Sequence, residues 1–156
     1  MFSEKQQFRQ IWLLLLLGGI FLLSFYQWLS IVISDHVLVN ERLVPLLVLL
    51  LVSGFVLSIR LTMVISQEGL SVQFFPIHFK PKFYAWDSIE KAEVRTYSPL
   101  LEYGGWGYRI GLFGAGKALN ISGNKGLQLY FKNGQKLLIG TQAPEKLSEI
   151  IAQMNK

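Results

Sequence analysis

Few side chains in this 156-residue chain belong to types that catalyse reactions or bind metals. There is no cysteine, which excludes disulfides, thiolate nucleophiles and cysteine-ligated zinc. The two histidines, His36 and His78, fall in segments that we expect on opposite sides of a bilayer, so no two-histidine metal site is predicted. No G-x-S-x-G motif is present for serine hydrolysis. The sequence predicts a non-enzymatic protein with no cofactor, no metal and no small-molecule substrate.

Three acidic residues are close enough in sequence to suggest acid–base catalysis: Asp87, Glu90 and Glu93. They precede or enter a predicted strand, where side chains alternate between the two faces of the sheet. Glu90 and Glu93 are three positions apart and therefore point to opposite faces. The interpretation favoured here is a solvated strand edge rather than a catalytic pair.

A glycine-rich loop carries the strongest candidates for a binding site. Residues 104–107 read Gly-Gly-Trp-Gly, but a strand follows them, whereas a phosphate-binding glycine loop leads into a helix. One interpretation is structural, with glycines that permit positive φ and a packed Trp106. The other is functional: Tyr103, Trp106, Tyr108 and Arg109 form an exposed aromatic and cationic ridge that contacts lipid headgroups or a protein partner.

The elements that position this loop begin with a membrane anchor. Residues 11–33 run without a charge, and about 20 apolar residues suffice to span a bilayer. Residues 34–42 form a short polar link, and residues 43–59 form a second, shorter apolar span. A cleaved signal peptide is the alternative, but its apolar core is shorter and ends in small residues. Small pairs at residues 18–19 and 53–54 could allow close helix packing, or their glycines could be incidental.

Flanking charge predicts the orientation of this anchor. Lys5 and Arg9 precede the first span and Arg60 follows the second, whereas the link offers Arg42 beside two acids. By the positive-inside rule both termini are cytoplasmic, with two spans in the cell membrane. From residue 60 onward twelve basic side chains face seven acidic ones, a balance that suits an anionic leaflet or ordinary solubility.

Beyond the anchor, residues 61–156 have the pattern of a small α+β domain. Short β-branched runs separated by turns predict about seven strands, with a bulge near Lys91 and a hairpin at Asn133-Gly134. An amphipathic helix begins near Pro144. Short strands need closure or a cap to cover their edges, so we expect a small antiparallel barrel or sandwich capped by this helix. The predicted domains are 1–60, the anchor, and 61–156.

Four stretches of this domain resemble bacterial pleckstrin-homology-like (PH-like) membrane proteins. They are residues 86–94 (Trp-Asp-Ser-Ile-Glu-Lys-Ala-Glu-Val), 68–70 (Glu-Gly-Leu), 144–147 (Pro-Glu-Lys-Leu) and 103–109 (Tyr-Gly-Gly-Trp-Gly-Tyr-Arg). The resemblance implies a PH-like barrel joined to hydrophobic hairpins. It does not extend to inositol-phosphate binding, because the first hairpin turn, Gln67-Glu68-Gly69, is acidic and has no lysine.

Two functions of different classes follow. The first is a membrane-anchored binding or scaffolding module whose PH-like domain docks on a membrane protein or an anionic lipid surface. The second is a structural subunit of a membrane assembly that oligomerises through the transmembrane hairpin. No interleaving of aromatic and basic residues indicates a nucleic-acid groove.

Overall fold

The computed structural model describes residues 1–8, 10–35, 40–111 and 114–154, and the chain forms two compact units. One unit is Phe8–Ile59. The other joins Met1–Gln7 to Arg60–Lys156. The first seven residues, which the sequence analysis assigned to the anchor, therefore belong to the unit built from strands.

The first unit contains two helices, α1 (Ile11–Asp35) and α2 (Asn40–Ser58). Within α1, Ile11–Ser30 is long and apolar enough to cross a membrane, and none of its most apolar stretch is buried inside the protein. The apolar part of α2, Val44–Ser58, is shorter than the roughly 20 residues typical of a span. The first predicted span thus has the required length and composition, and the second stays a prediction. Residues 36–39 of the predicted link lie outside the described residues.

The small residues of these helices lie in open space. A Cβ added to Gly18, Gly19 or Gly54 would meet no neighbouring atom within 4 Å. The contact between α1 and α2 therefore does not need these glycines, which favours the interpretation that they are incidental.

The second unit begins with an antiparallel sheet of four strands in the order β1-β2-β3-β4. Their bounds are β1 Phe2–Gln7, β2 Arg60–Ile65, β3 Gly69–Phe75 and β4 Lys82–Ala85. Alternation sets the buried face: Leu61, Met63 and Ile65 of β2 are buried, and alternate residues of β3 are buried beside them.

Strand β1 was not predicted, because its sequence Phe-Ser-Glu-Lys-Gln-Gln lacks an apolar alternation. Two of its polar side chains instead form hydrogen bonds to backbone and side-chain groups that are distant in sequence. Gln6 is buried and its Nε2 donates to the Gly140 carbonyl at 2.7 Å. The Glu4 carboxylate accepts from Thr141 Oγ1 at 2.6 Å and from the Gln142 N–H at 2.7 Å. These bonds attach β1, which precedes the helices in sequence, to residues that follow them. We call the unit of Met1–Gln7 and Arg60–Lys156 the strand unit.

A second sheet has five strands in the order β5-β8-β9-β7-β6. Their bounds are β5 Ile89–Thr96, β6 Gly107–Ile110, β7 Lys117–Asn120, β8 Lys125–Phe131 and β9 Lys136–Gly140. Helix α3 (Pro99–Tyr103) lies between β5 and β6. Helix α4 (Pro144–Gln153) buries Leu147 and Ile151 and packs against β5 and β8.

The α+β class and the C-terminal helix are confirmed, as are the bulge between Ile89 and Lys91 and the hairpin around Gly134. The barrel is corrected: among the described residues the nine strands form two separate sheets, and β7 pairs with β9 in parallel. The sheets separate at a 3-10 turn, Trp86–Ser88, which carries the chain from one to the other. Trp86 fixes this turn, because its buried ring donates Nε1–H to the Ser66 carbonyl at 2.9 Å.

Candidate functional site

The 98–109 segment begins as a helix, although the sequence predicts a loop over residues 98–108. Ser98 caps α3, with its Oγ accepting from the Leu101 N–H at 3.4 Å, and Pro99 occupies the first helical position. Gly104 ends the helix at φ 68°, a left-handed conformation that favours glycine. Ser-Pro at the start and Gly at the end were the sequence signals of this short helix.

Tyr103 is not part of an exposed ridge. Only 3% of its surface is exposed, and its hydroxyl donates to the Ala115 carbonyl at 3.1 Å. Its ring lies 5.9 Å from that of Tyr97, nearly perpendicular, in a buried cluster with Ala118 and Leu138. Helix α3 is thus fastened to the second sheet by an aromatic side chain.

An ion pair also fastens the same helix. Arg95 of β5 donates to both oxygens of the Glu102 carboxylate, at 2.6 and 3.3 Å. The same carboxylate accepts from the Ser98 N–H at 2.7 Å. The hydrogen bond from Arg95 is the main cause that lowers the pKa of Glu102, so this carboxylate is charged at neutral pH and serves structure.

The other three predicted site residues lie at or near the surface, but not as one continuous ridge. Trp106 is 39% exposed, and its indole N–H donates to the Gly123 carbonyl at 2.9 Å. Arg109 is exposed and donates its Nε–H to the Trp106 carbonyl at 3.0 Å. Tyr108 is half-buried and its ring contacts His78, 5.8 Å between centroids. Trp106 and Arg109 therefore stay together, while Tyr108 belongs with the loop after β3.

That loop, which the sequence predicts between Pro76 and Pro81, also carries exposed apolar side chains. In the 76–82 segment, Phe79 is 78% exposed and Ile77 is 52% exposed. Lys80 and Lys82 are exposed beside them, and the segment contains no acid. The sequence signal was an alternation of apolar and basic residues between Pro76 and Lys82. This pattern is found both in binding surfaces and in ordinary solvent-exposed loops.

His78 is the fixed point of the 76–82 segment. Its backbone N–H donates to the Phe74 carbonyl at 2.7 Å, and its side chain is buried with no hydrogen-bond partner for Nδ1 among the described residues. Burial lowers the pKa of His78, and the charges of Lys82 and Lys117 lower it further. A position between Pro76 and Pro81 predicts a surface histidine, and this prediction is wrong: the imidazole is packed against Tyr108 and is neutral at neutral pH.

An open cavity of about 320 Å³ lies between the start of β7 and the β8–β9 turn. Its polar side chains are Lys117, Gln135 and Lys136, and the rest of its wall is largely glycine backbone. Gly116 has φ 82°, and a Cβ there would collide with the Lys136 carbonyl, so only glycine fits this wall. The lining residues that the structure describes include no carboxylate, imidazole or hydroxyl group.

The acids considered for catalysis have structural partners or face solvent. Glu93 pairs with Lys91 and accepts from the Tyr130 hydroxyl at 3.0 Å, while Glu90 is exposed. Within residues 1–8, 10–35, 40–111 and 114–154, no group of three or more His, Asp or Glu side chains is arranged to hold a metal ion. His36 lies outside the described residues.

Comparisons with protein-family models, with curated proteins and with solved structures found no match. The resemblance to PH-like membrane proteins stays a prediction from the sequence.

Proposed function

We propose that this protein is a membrane-anchored, non-enzymatic binding module whose strand unit is held at the bilayer surface by two spans. The observation that carries the proposal is the pairing of β1 with β2, in which Gln7 lies opposite Arg60. The chain leaves the strand unit at Gln7 and returns to it at Arg60. Both ends of the helical excursion are therefore on the same side of any membrane.

A closed excursion of this kind requires an even number of crossings. If α1 crosses the bilayer, the chain has to cross again before Arg60, and α2 is the element available for the return. Its 19 residues would extend about 28 Å, close to the hydrocarbon thickness of about 30 Å. Arg60 can extend its guanidinium toward the headgroups, which lengthens the usable span. The pairing thus favours two spans although the apolar part of α2 is short.

The two-span anchor confines the strand unit to one leaflet. Ile59 alone separates the last residue of α2 from Arg60, so the Cα atoms of Ser58 and Arg60 are at most about 7 Å apart. Such a short connection raises the effective concentration of any weak contact with the adjacent surface. A binding role in this setting uses surface side chains, and the 76–82 segment provides exposed ones.

Cysteine accessibility tests the topology, and the absence of native cysteine leaves a clean background. Single cysteines are introduced by Ser3→Cys in β1, Lys132→Cys after β8 and His36→Cys between the helices. Each variant is expressed in a bacterium and treated with a membrane-impermeant maleimide, before and after lysis. We expect the first two to react only after lysis and the third to react in intact spheroplasts.

Two results would contradict the two spans, and a third would contradict their orientation. If Ser3→Cys and Lys132→Cys differ in accessibility, the chain crosses the membrane an odd number of times. That result would refute the β1–β2 pairing in the membrane-bound protein. Equal protection of all three would mean that the helices lie on or re-enter the cytoplasmic face. The positive-inside assignment itself fails if the first two are labelled in intact cells and the third is not.

A further inference from the structure

The helices and the 76–82 segment connect to the first sheet at the same end of its strands. Arg60 opens β2 directly after α2, and it pairs with Gln7 on one side and Phe75 on the other. The chain therefore passes to both helices, and into the 76–82 segment, at one end of the same three strands. The opposite end, with the Gln67 turn, is about 17 Å away along β2.

The segment is held in place by its own hydrogen bonds and by ring contacts. Gln73 Nε2 donates to the Phe79 carbonyl at 2.9 Å, and the Phe79 ring stands perpendicular to that of Phe75 with centroids 6.0 Å apart. The Arg60 guanidinium lies 4.7 Å from the centroid of the Phe75 ring. Since His78 is buried against Tyr108, the neighbouring Ile77 and Phe79 are left exposed. The exposed residues are thus ordered before any partner arrives.

The chemistry of this surface fits a bilayer interface. Aromatic and large apolar side chains partition to the headgroup level, where they exchange water for the acyl boundary. Lys80 and Lys82 add positive charge without an acid in the segment, and basic side chains near an anionic leaflet are attracted to it. A protein partner would have to find this surface by diffusion, whereas lipid is fixed beside it by the anchor.

We propose that the 76–82 segment docks on the anionic phospholipid headgroups of the leaflet that its own anchor enters, with Phe79 and Ile77 inserted and Lys80 and Lys82 on phosphate. This rests on the proposed anchoring function and adds the ligand and the contact residues. The 98–109 segment, fastened to the second sheet, is not required for this contact.

The test is a depth measurement on the full chain in lipid nanodiscs. Pro81→Cys carries an environment-sensitive fluorophore inside the segment and leaves all four contact residues in place. Gln67→Cys is the matched control at the distal end of the same strands. Nanodiscs contain either phosphatidylcholine alone or phosphatidylcholine with phosphatidylglycerol, each with and without a lipid that bears a nitroxide on its headgroup.

We expect the probe at position 81 to be quenched strongly in anionic nanodiscs and weakly in neutral ones, and the probe at position 67 to be quenched in neither. Lys80→Gln and Lys82→Gln should each lower the ratio of docked to undocked protein about fivefold. Equal quenching at positions 81 and 67 would overturn the proposal, and so would equal quenching at position 81 in both lipids. If Pro81→Cys melts at a lower temperature than the parent, the rate at which a water-soluble acylating reagent modifies Lys80 in the parent chain gives the same comparison: slower modification in anionic than in neutral nanodiscs is expected, and equal rates would overturn the proposal.

Failure of the anchor itself would look different. A chain that does not span the membrane is extracted by alkaline carbonate and shows the accessibility pattern described for the helices above. A chain that resists extraction while the probe at position 81 stays in water keeps the anchored module and loses the lipid contact. A 76–82 segment that becomes protected only when a membrane protein is added would also overturn the lipid assignment.

Discussion

Two surface segments of the strand unit have similar composition and opposite roles. The 98–109 segment and the 76–82 segment each combine aromatic residues with positive charge. In the first, Tyr103 is buried and Glu102 is bound to Arg95. In the second, Phe79 and both lysines are exposed, and His78 alone is buried. Aromatic content therefore does not identify a contact surface. Both segments expose apolar side chains, Leu101 in the first and Phe79 in the second, and they differ in how many of their aromatic and charged side chains have partners inside the fold.

The largest expected effect is on stability, from removing the aromatic ring that fastens α3. Tyr103→Ala should cost about 3–5 kcal/mol, because the ring is buried against Tyr97 and its hydroxyl has a backbone partner. In detergent or nanodiscs the melting temperature should fall by roughly 10–30 °C. Leu101→Ala on the same helix is the control, since that side chain is 79% exposed. Similar melting temperatures for the two variants would mean that Tyr103 is not a structural residue.

The next effect comes from the Arg95–Glu102 pair. Glu102→Gln weakens two hydrogen bonds from Arg95 and one from the Ser98 N–H, and we expect a loss of about 1 kcal/mol after allowance for partial exposure. Glu93→Gln is the matched control, because its partner Lys91 is largely exposed. A smaller loss for Glu102→Gln than for Glu93→Gln would contradict the fastening of α3 by charge.

The same pair predicts a pH dependence. The pKa of Glu102 is lowered in the folded protein, chiefly by the hydrogen bond from Arg95, so the unfolded state binds its proton more readily. The stabilisation by Glu102 is fully present above its unfolded pKa and is lost as the pH falls through its folded pKa. Melting curves of the parent and Glu102→Gln should therefore converge in acid below the ordinary pKa of 4.5. A constant difference between them at all pH values would exclude titration of Glu102 as its source.

How far the sequence predicted these features depends on whether the pattern was local. Strands β2 and β3 follow from apolar alternation, the β8–β9 hairpin from Asn133-Gly134, and α1 from its long, mostly apolar run without a charge. Strand β1 was missed because its pairing with β2 closes a gap of more than 50 residues and its inward side chains are polar. The prediction of a closed barrel was wrong because the number of strands does not determine which edge strands pair with each other.

The candidate site was predicted in part and for a similar reason. Trp106 and Arg109 lie at the surface as expected, but burial of Tyr103 depends on Tyr97 and on β7 and β9, which are distant in sequence. In the sequence, the 76–82 segment shows only apolar and basic residues among prolines. Its position beside the connections to the helices depends on the register that places Phe75 opposite Arg60. Register is a property of the folded sheet.

A smaller effect should come from His78, the one buried side chain of the 76–82 segment. Burial, Lys82 and Lys117 lower its pKa, so the unfolded state takes up the proton first as the pH falls. Stability is full above the unfolded pKa of 6.5 and declines as the pH drops through that value toward the folded pKa. We expect a lower melting temperature at pH 5.5 than at pH 7.5. A His36→Asn background leaves His78 as the one histidine, and His78→Gln in that background should remove the change.

The smallest effect on stability, and the sharpest test of the comparison, is Phe79→Ala set against Leu101→Ala. Both side chains are more than three-quarters exposed, so each truncation should change the free energy of unfolding by less than about 0.5 kcal/mol. In anionic nanodiscs the two variants should differ in their effect on lipid contact, because only Phe79 follows the end of the strands at which the chain connects to the helices. Phe79→Ala should raise the rate at which a water-soluble acylating reagent modifies Lys80 by about twofold. Leu101→Ala should leave that rate unchanged. If both variants raise it equally, or neither does, the two segments are equivalent toward lipid and the distinction drawn from their internal partners fails.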